Sequence, residues 1–450
     1  MKIALFVHCF YPEHFYGTET YTLQVARRLR ELGHQPVVVS AVFQGEPRRK
    51  EAVTHYEYDG LPVICIDKNF VPHSHLRETY YQESMRPILT SLLDEIKPDV
   101  VHVMHLINHT AVLLEVAAAL KLPILATLTD FFGFCYTNKL EAASGELCPG
   151  PNASRSNCVA CFLKARAIQI DDPEPAWSRF FKNGILARVG GIGLAHGSRI
   201  GLLGQSAIAI AVEDLKQRPE VLARSYRNYH AVVTPTRFLQ HAYEAIGLDA
   251  TAFNVRFGVD ISRAPKTFPI TGAPVRFGFI GQLAPHKGAD LLLEAFKRLP
   301  TDTASLLIYG PEDQVPSYSA KLRQLAVRSD VSFCGTFPEE QTRAVLDTFD
   351  VLVIPSRWYE NSPLVLLNAL ASHTPVVVAD VAGLTEFIEE GQSGYSFVRG
   401  SADSLLKALR RFVETPSLAA KLSLTTEYSR TTKTMVDDLM PIYTFAMENQ

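Results

Sequence analysis

Between two apolar strands the chain reads Ile354-Pro-Ser-Arg-Trp-Tyr-Glu-Asn-Ser-Pro-Leu-Val-Leu-Leu-Asn-Ala-Leu-Ala-Ser-His-Thr-Pro375. The run from Val351 into this stretch is short, apolar and ended by a proline, which is typical of a strand buried in a parallel sheet. After the turn, Ser362 is expected to cap a helix, and Pro363 suits the first helical position, where an N–H would have no partner. The stretch therefore predicts a strand, a turn and a helix whose N-terminus can bind an anion.

The helix after this turn is apolar nearly all round, so it is expected to be buried. Asn368 interrupts it, on the same face as Leu364, Val365 and Ala371. A buried amide needs hydrogen-bond partners, which either the protein or a ligand at the helix N-terminus can supply. Glu360, just ahead of the helix start, adds a carboxylate to the same turn.

Length and composition describe an ordinary globular protein. The chain has 450 residues, of which 47% are hydrophobic and 20% charged, and its net charge is −3 without a long basic run. This length predicts two to four domains, and the charge gives no support to nucleic-acid binding. No stretch reaches transmembrane length, and the apolar segment Ile3 to Val7 is too short for a signal-peptide core, so the expected location is the cytoplasm.

Strands and helices alternate along two series, which predicts the α/β class with two doubly wound, Rossmann-like parallel-sheet domains. The expected domains are residues 1–235 and 236–430, followed by a helix at 431–450. Such sheets bind ligands at the carboxyl ends of their strands, so the sequence predicts a central cleft that both domains face.

Each series opens with a glycine turn ahead of its first helix. Gly17-Thr18 precedes the first helix, and Gly281-Gln282 leads through Lys287 to the helix of the second series. Glycine allows close approach of the backbone to a phosphate, and lysine adds a positive charge. For the first turn alone, an ordinary strand–helix connection fits as well.

A third feature is an insertion at about 131–225 that lacks a clear strand and is expected to be mostly helical after Cys161. Cys135, Cys148, Cys158 and Cys161 lie in it, separated by 12, 9 and 2 residues. In a chain without an export signal, this set suits a structural zinc bound by thiolates, although reduced thiols remain the alternative.

The same insertion contains aromatic and basic residues together, at Trp177, Phe180, Phe181 and Lys182. This pattern is compatible with a segment that lies on a membrane surface and meets a lipid-linked acceptor. It is equally compatible with a core helix of the first domain. The location is therefore cytoplasmic, with peripheral contact to the inner face of the membrane under the first interpretation.

Several motifs together give the chain a resemblance, over nearly its whole length, to the retaining glycosyltransferases of family 4, which have the GT-B fold. They are Tyr11-Pro12 through Gly17-Thr18-Glu19, Gly33-His34, Thr127-Leu-Thr-Asp130, Gly258-Val-Asp260, Gly281 through Lys287-Gly288, Glu360-Asn-Ser-Pro-Leu364 and Pro375-Val376. The resemblance implies sugar transfer from a nucleotide diphosphate-sugar, without a catalytic metal, to a glycan, lipid-linked or small-molecule acceptor, as in polysaccharide biosynthesis. It also implies that the last helix crosses back to the N-terminal domain.

The resemblance assigns roles to individual residues. Gly17 would lie against the donor diphosphate, Lys287 would neutralise charge on the leaving phosphate, and Glu360 would hold donor-sugar hydroxyls. The implied catalytic set is Lys287, Glu360, Thr129 and Asp130. The implied donor-binding set is Gly17, Thr18, Gly281, Gln282, Lys287, Glu360, Asn361, Ser362, Pro363, Leu364 and Asn368.

Three positions depart from the family pattern. Asn368 stands where a second glutamate is usual, Gln282 where a basic residue is usual, and Thr129 where a histidine is usual. Asn368 removes charge assistance from a ribose contact, Gln282 removes a positive charge from the phosphates, and Thr129 removes a neutral donor and potential acid–base group near the sugar. Arg256, Arg357 or His286 are candidates to supply the missing charge. The alternative to an active transferase is a catalytically weakened GT-B protein that binds a nucleotide, a glycan or a partner.

Overall fold

The computed structural model describes residues 1–46, 49–168, 176–202, 204, 206–268 and 273–449. Its contacts divide the chain into two compact units, of which the first contains Met1–Val255 and Lys433–Gln450 and the second contains Arg256–Thr432. No helix among the described residues is long and apolar enough to span a bilayer.

Within the described residues, the first unit is built on an eight-stranded sheet, which is parallel except for an antiparallel edge strand. Its strand order is β3-β4-β2-β1-β5-β6-β7-β8. The strands are β1 Lys2–Phe6, β2 Gln35–Val42, β3 Val53–Tyr58, β4 Leu61–Asp67, β5 Val100–Val103, β6 Ile124–Thr127, β7 Ala231–Thr234 and β8 Thr251–Asn254. The helices are α1 Gly17–Glu31, α2 Arg86–Ile96, α3 Val112–Ala119, α4 Ser156–Ile168, α5 Ala176–Lys182, α6 Gly184–Arg199, α7 Ala207–Tyr226 and α8 Arg237–Glu244.

The second unit has a six-stranded sheet in the described residues, and every pair in it is parallel, in the order β11-β10-β9-β12-β13-β14. The strands are β9 Val275–Ile280, β10 Ala304–Tyr309, β11 Val331–Gly335, β12 Val351–Ile354, β13 Val376–Ala379 and β14 Gly394–Phe397. The helices are α9 Ala289–Phe296, α10 Pro316–Leu325, α11 Thr342–Asp347, α12 Leu364–Ala371, α13 Ala402–Glu414 and α14 Ser417–Ser423. The predicted pair of doubly wound parallel sheets is thus confirmed.

The first unit runs further than the expected boundary at residue 235. Strand β8 pairs with β7 in parallel register, so the sheet of the first unit continues to Asn254. The final described helix, α15 (Thr432–Glu448), also contributes to this unit. Tyr443 of α15 is fully buried, and its hydroxyl lies 2.7 Å from Nδ1 of His102 on β5. The helix therefore completes the core of the first unit.

The insertion contains a compact group of helices, α4 to α7. Helix α4 begins at Ser156, ahead of Cys158, and so starts earlier than the expected helical region after Cys161. A side chain on Gly191 of α6 would lie 2.5 Å from the backbone oxygen of Ser156, so glycine lets α6 pack directly on α4. The shared apolar core consists of Val159, Phe162, Leu163, Ala195, Val212 and Leu215.

Both sheets reverse their strand order at one place. In the first sheet, β2 and β5 lie on opposite sides of β1, and in the second, β10 and β12 lie on opposite sides of β9. Loops at the carboxyl ends of the two strands beside such a switch point diverge, which opens a crevice for ligands. The switch point of each sheet is therefore the favoured place for the functional side chains of that unit.

Candidate functional site

In the second unit, a buried carboxylate lies at the switch point. Glu360, 6% exposed, accepts three hydrogen bonds on Oε1. The donors are Nζ of Lys287 at 2.7 Å, Oγ of Ser356 at 2.5 Å and Nε1 of Trp358 at 3.0 Å. The other oxygen, Oε2, has no hydrogen-bond partner among the described residues, so it is free to accept a hydroxyl.

The loops after β9 and β12 fix this ion pair. Lys287 ends the short 3₁₀ turn Pro285–Lys287, and Gly288 follows with φ of +74°. A side chain at Gly288 would lie 2.1 Å from the backbone oxygen of Pro355, so only glycine lets the two loops meet. The ammonium of Lys287 also lies 5.1 Å from the centre of the Trp358 ring, which adds a cation–π contact.

The start of α12 differs from the expectation that Ser362 caps it. The N-cap residue is Pro363, and Ser362 adopts a left-handed φ of 58° without a capping bond. Its Oγ and the Oδ1 of Asn361 are buried and accept or donate no hydrogen bond among the described residues. The first N–H groups of a helix have no intrahelical acceptor. The turn therefore presents unsatisfied polar groups, as expected of a ligand site.

Asn368 and Gln282 are less tightly held by their surroundings than Lys287 and Glu360. Asn368 is half-buried rather than buried, and its amide makes no hydrogen bond within the described part of the chain. Gln282 is also half-buried, and its backbone oxygen accepts from the N–H of Ala284 at 2.9 Å. Gly281 follows the last residue of β9 and donates its N–H to the backbone oxygen of Tyr309. Both polar side chains are thus available to a ligand.

Arg357 does not supply the free positive charge for which it was a candidate. Its Nη1 lies 2.6 Å from Oδ1 of Asp290, and it also donates to the backbone oxygen of Pro285. Burial raises the pKa of Asp290, but hydrogen bonds from Arg357 and Tyr318 outweigh it and hold this pKa at about 2. The two charges neutralise each other. Arg256 packs over the ring of Phe387, with its guanidinium 5.1 Å from the centroid.

In the first unit, His105 and Asp130 form a pair at the carboxyl ends of β5 and β6. The Nε2 of His105 lies 2.9 Å from Oδ2 of Asp130, and its Nδ1 accepts the N–H of Ile107 at 3.0 Å. Because Nδ1 is an acceptor, the ring proton is on Nε2 and is donated to the carboxylate. Asp130 Oδ1 accepts the N–H of Phe132, which fixes the carboxylate.

A second histidine–carboxylate pair lies beside the first, after β1. His8 and His105 have ring centroids 4.6 Å apart, and Nε2 of His8 lies 3.4 Å from Oε1 of buried Glu19. Burial, followed by the nearby His105, lowers the pKa of His8 well below its usual value, so the ring is neutral. The thiol of Cys9 donates to the same oxygen of Glu19 at 2.7 Å, so Cys9 is more than a packed apolar residue.

Ligand atoms of His8, Cys9 and Glu19 all lie within 4.8 Å of one another. The set could hold a cation, but the thiol of Cys9 already donates to Oε1 of Glu19, the oxygen that lies 3.4 Å from Nε2 of His8. Burial and Glu19 raise the pKa of this thiol far above its usual value, which favours the neutral, hydrogen-bonded arrangement.

Gly17 begins α1, and the space that a side chain there would occupy contains no protein atom within 4 Å. The backbone oxygen of Thr18 accepts the hydroxyl of Thr22. Thr129 lines a small cavity together with His105 and Asp130, and its buried Oγ1 has no hydrogen-bond partner in the described residues. Open space at Gly17 and an unsatisfied hydroxyl at Thr129 are both compatible with ligand contact.

The four cysteines of the insertion line one small cavity, and none of these four forms a disulfide. Burial and the neighbouring cysteines raise the pKa of Cys158 and Cys161 to about 12. Neither of the two histidine–carboxylate pairs lines this cavity.

Within each unit, the structure brings several predicted residues together. Lys287, Glu360, Asn361 and Ser362 lie around one turn, and Thr129 and Asp130 share a cavity. Sequence reasoning did not identify Ser356 and Trp358 as partners of Glu360 or the pairing of His105 with Asp130. Ser356 and Trp358 lie within four residues of Glu360, so their nearness in the sequence was a usable signal. The pairing of His105 with Asp130 can be predicted only once the order of the strands is known.

Two family models match the chain. Residues 15–141 match Glycosyltransferase Family 4, and residues 260–427 match Glycosyl transferases group 1. The chain is 36% identical to an uncharacterized glycosyltransferase of Methanocaldococcus jannaschii over 128 residues, which are 28% of this chain and 33% of the relative. It is 26% identical to an amylovoran biosynthesis glycosyltransferase of Erwinia amylovora over 246 residues, 49% of this chain and 57% of that one.

The alignments thus span a third to just over half of these relatives. Among solved structures, HepE of Anabaena in complex with UDP and glucose matches with a TM-score of 0.63 and 15% identity, over 99% of both chains. This likeness shows the fold. With one family model in each of its two parallel-sheet units, the chain belongs to glycosyltransferase family 4 and has the GT-B fold.

Proposed function

We propose that this protein is a retaining glycosyltransferase that transfers a sugar from a nucleotide diphosphate-sugar to a glycan, lipid-linked or small-molecule acceptor. The observation that carries the proposal is the Lys287–Glu360 pair, held at 2.7 Å beside the start of α12. A cation and a half-satisfied carboxylate at a helix N-terminus match the two ends of such a donor, the phosphates and the sugar hydroxyls.

In the proposed complex, Lys287 neutralises the charge that grows on the leaving diphosphate as its bond to the anomeric carbon breaks. Glu360 accepts a donor-sugar hydroxyl on Oε2, while its three existing hydrogen bonds keep the carboxylate in place. The unpaired polar groups of Asn361 and Ser362, with the backbone through Pro363 and Leu364, face the donor. Gly281, Gln282 and Asn368 contribute neutral contacts.

In the first unit, Gly17 and Thr18 lie against the donor phosphates in this proposal, because the space beside Gly17 is open. Asp130 and Thr129 face the reacting sugar. The family's usual histidine is absent at Thr129, but His105 already places an imidazole N–H on Asp130. We infer that His105 takes over part of that role by orienting Asp130 through this hydrogen bond.

The test is a panel of nucleotide diphosphate-sugars, with donor binding, hydrolysis and transfer measured for each. Turnover of one donor, with the product in the same anomeric configuration by NMR, is the expected result. A protein that binds a donor without turnover supports the weakened binding protein instead. Absence of both binding and turnover across the panel would reject the proposal.

We also propose that the protein is cytoplasmic and meets the inner face of the membrane through α5 and α6. Ile185, Val189 and Ile192 follow one face of α6 and are 70%, 61% and 54% exposed. Trp177 and Phe180 of α5 are also exposed, which differs from the expectation of a core helix. Residues 176–202 contain several Arg and Lys but no Asp or Glu, so the surface suits anionic lipid.

Vesicle flotation tests this surface. The protein is expected to float with anionic vesicles and to float less after the double change Ile185→Ser and Val189→Ser. Val327→Ser, which removes an equally exposed apolar side chain from the second unit, is the control. Equal flotation of all variants, or of none, would contradict membrane contact through α6.

A further inference from the structure

The connection between β6 and α4 is unusually long for a segment without regular structure. Residues 128–155 contain no helix or strand, and a single bridge joins Glu141 to Leu147. Connections longer than about 15 residues without secondary structure are uncommon in compact domains unless something else holds them. The helices beyond it have their own apolar core, so the connection itself needs a separate source of order.

The four cysteines of the insertion lie where they can hold the connection between β6 and α4 in place. Cys135 and Cys148 lie in the connection, while Cys158 and Cys161 lie one turn apart on α4, and all four line the same cavity. The N–H of Gly150 and the amide of Asn157 point to Sγ of Cys148, at 3.4 and 3.5 Å. Amide donors to sulfur stabilise a thiolate and are a typical outer shell of thiolate metal centres.

Positive charge surrounds the same cavity. Arg155 acts electrostatically on Cys158, Lys164 on Cys161 and Arg218 on Cys135. Arg218 is 3% exposed and has no carboxylate within ion-pair distance in the described ranges, and its Nε is unpaired. The carboxylate of Asp130 also acts electrostatically on this buried guanidinium, without a direct ion pair. An anionic centre at Cys135, which acts on the same guanidinium, would lower the cost of burying its charge further.

We propose that Cys135, Cys148, Cys158 and Cys161 bind one structural Zn²⁺ as a tetrahedral tetrathiolate centre. Four Zn–S bonds form as four thiols release their protons, which leaves a centre of net charge −2 beside the three cations. Among the described residues, the ligand atoms found within 4.8 Å of one another belong to His8, Cys9 and Glu19. The four sulfurs, which line one cavity, must therefore move closer together when the metal binds.

The centre would order a segment that begins at the proposed active site. Cys135 is joined to Asp130 through Phe131 to Phe134, and the N–H of Cys135 bonds to the oxygen of Phe131. Phe132 donates its N–H to Asp130 and accepts Nη2 of Arg218 on its oxygen. Metal at Cys135 thus fixes both ends of the short run that orients Asp130, without touching the reacting groups.

Metal content of the full-length protein, purified without chelators, tests the proposal independently of transferase activity. We expect about one zinc per chain, released when the thiols are titrated with an organomercurial. Cobalt replacement should give the visible absorption of a tetrahedral thiolate complex. Cys161→Ser should lose the zinc, whereas Cys334→Ser, which changes an exposed cysteine of the second unit, should retain it.

If Cys161→Ser fails to fold, the cobalt spectrum and zinc release of the unmodified protein decide the matter. Wild-type protein that contains no zinc and gives no thiolate–cobalt absorption would overturn the proposal, and the cysteines would be reduced thiols. Iron with inorganic sulfide in place of zinc would also overturn it. Zinc in a protein that turns over no donor would leave the metal site standing while rejecting the proposed function.

Discussion

The two units have the same topology at their switch points but place different partners beside a carboxylate there, a lysine in the second unit and histidines in the first. After β9 and β12, the second unit pairs a charged lysine with a charged glutamate, Lys287 with Glu360. After β1 and β5, the first unit places two imidazoles, His8 and His105, 4.6 Å apart. The strand order decides where functional groups meet, whereas the residues after each strand decide which side chain pairs with the carboxylate there.

This difference suggests a division of labour. The second unit keeps a charged pair that suits the phosphates and sugar of a donor, although two of the three departures from the family pattern, Gln282 and Asn368, lie in it. The first unit keeps His8, His102 and His109 neutral by burial, which lowers the pKa of each, and it contains the third departure, Thr129, and the insertion. Perturbing each switch point separately should therefore have different effects, of which the largest is expected in the second unit.

Replacing Lys287 with alanine removes the positive charge beside Glu360. Loss of one such preorganised group typically costs ~10²–10³-fold in rate, so we expect kcat/KM to fall by about 10³. Steady-state kinetics with the preferred donor measure the effect. Lys407→Ala, an exposed lysine of α13, is the matched control and should stay at the wild-type value. A Lys287→Ala variant within threefold of wild type would contradict the role of the ion pair.

Acid should destabilise the first unit before the second. Burial lowers the pKa of His102 to about 3 and that of His109 to about 4. In the unfolded chain these histidines have an ordinary pKa of ~6.5, so at a pH below ~6.5 the unfolded state binds more protons than the folded state. The contribution of the two histidines to the free energy of unfolding is therefore complete above pH ~6.5 and is lost as the pH falls toward 3. The expected loss at pH 5 is on the order of 2 kcal/mol per histidine.

Hydrogen exchange read by mass spectrometry resolves the two units at pH 7 and pH 5. Peptides of β1 and β5 should lose protection that peptides of β9 and β12 keep. His102→Gln should reduce the dependence on pH, while His241→Gln, at an exposed position of α8, should not. Equal loss in both sheets would remove the electrostatic contrast between the units.

Gly17→Ala tests whether the first unit contacts the donor. No protein atom lies within 4 Å of the added carbon, so folding should be unaffected. A phosphate close to the backbone would be displaced, and we expect the donor KM to rise roughly tenfold. Gly193→Ala, another helix glycine with open space, is the control. An unchanged KM would limit donor binding to the second unit.

The smallest effect is expected from restoring charge at Asn368. A charge-assisted hydrogen bond exceeds a neutral one by ~1 kcal/mol, so Asn368→Glu should lower the donor KM about fivefold. Gln392→Glu makes the same change of charge at an exposed position. If both variants leave KM unchanged, Asn368 does not contact the donor, and its departure from the family pattern has no effect on binding.

Apolar periodicity predicted most of the fold, because buried strands such as β12 and amphipathic helices are specified by their own residues. Strand β8 was missed, since Thr251–Asn254 is a half-exposed edge strand whose pairing with β7 depends on the rest of the sheet. The cap at Ser362 was predicted wrongly because the helix begins one residue later: Pro363 occupies the N-cap position, and Ser362 precedes it with a left-handed φ.

For the candidate site, the sequence indicated both residues of the Lys287–Glu360 pair but not its geometry. Ser356 and Trp358 share one oxygen of Glu360 only because the turn folds back on itself. The contact between His8 and His105 arises because β1 and β5 are neighbours in the sheet, although they are far apart in the sequence. Local pattern thus identifies the groups, and tertiary structure decides their partners.

The place of α15 in the first unit has a consequence for synthesis. A ribosome releases all of Arg256–Thr432 before Tyr443 emerges to meet His102. The second unit can therefore fold first. Until α15 is made, the surface of the first unit that Met435, Val436 and Leu439 later cover stays exposed to water. During translation, the domain begun earliest is finished last, and its unfinished face is a natural binding surface for chaperones.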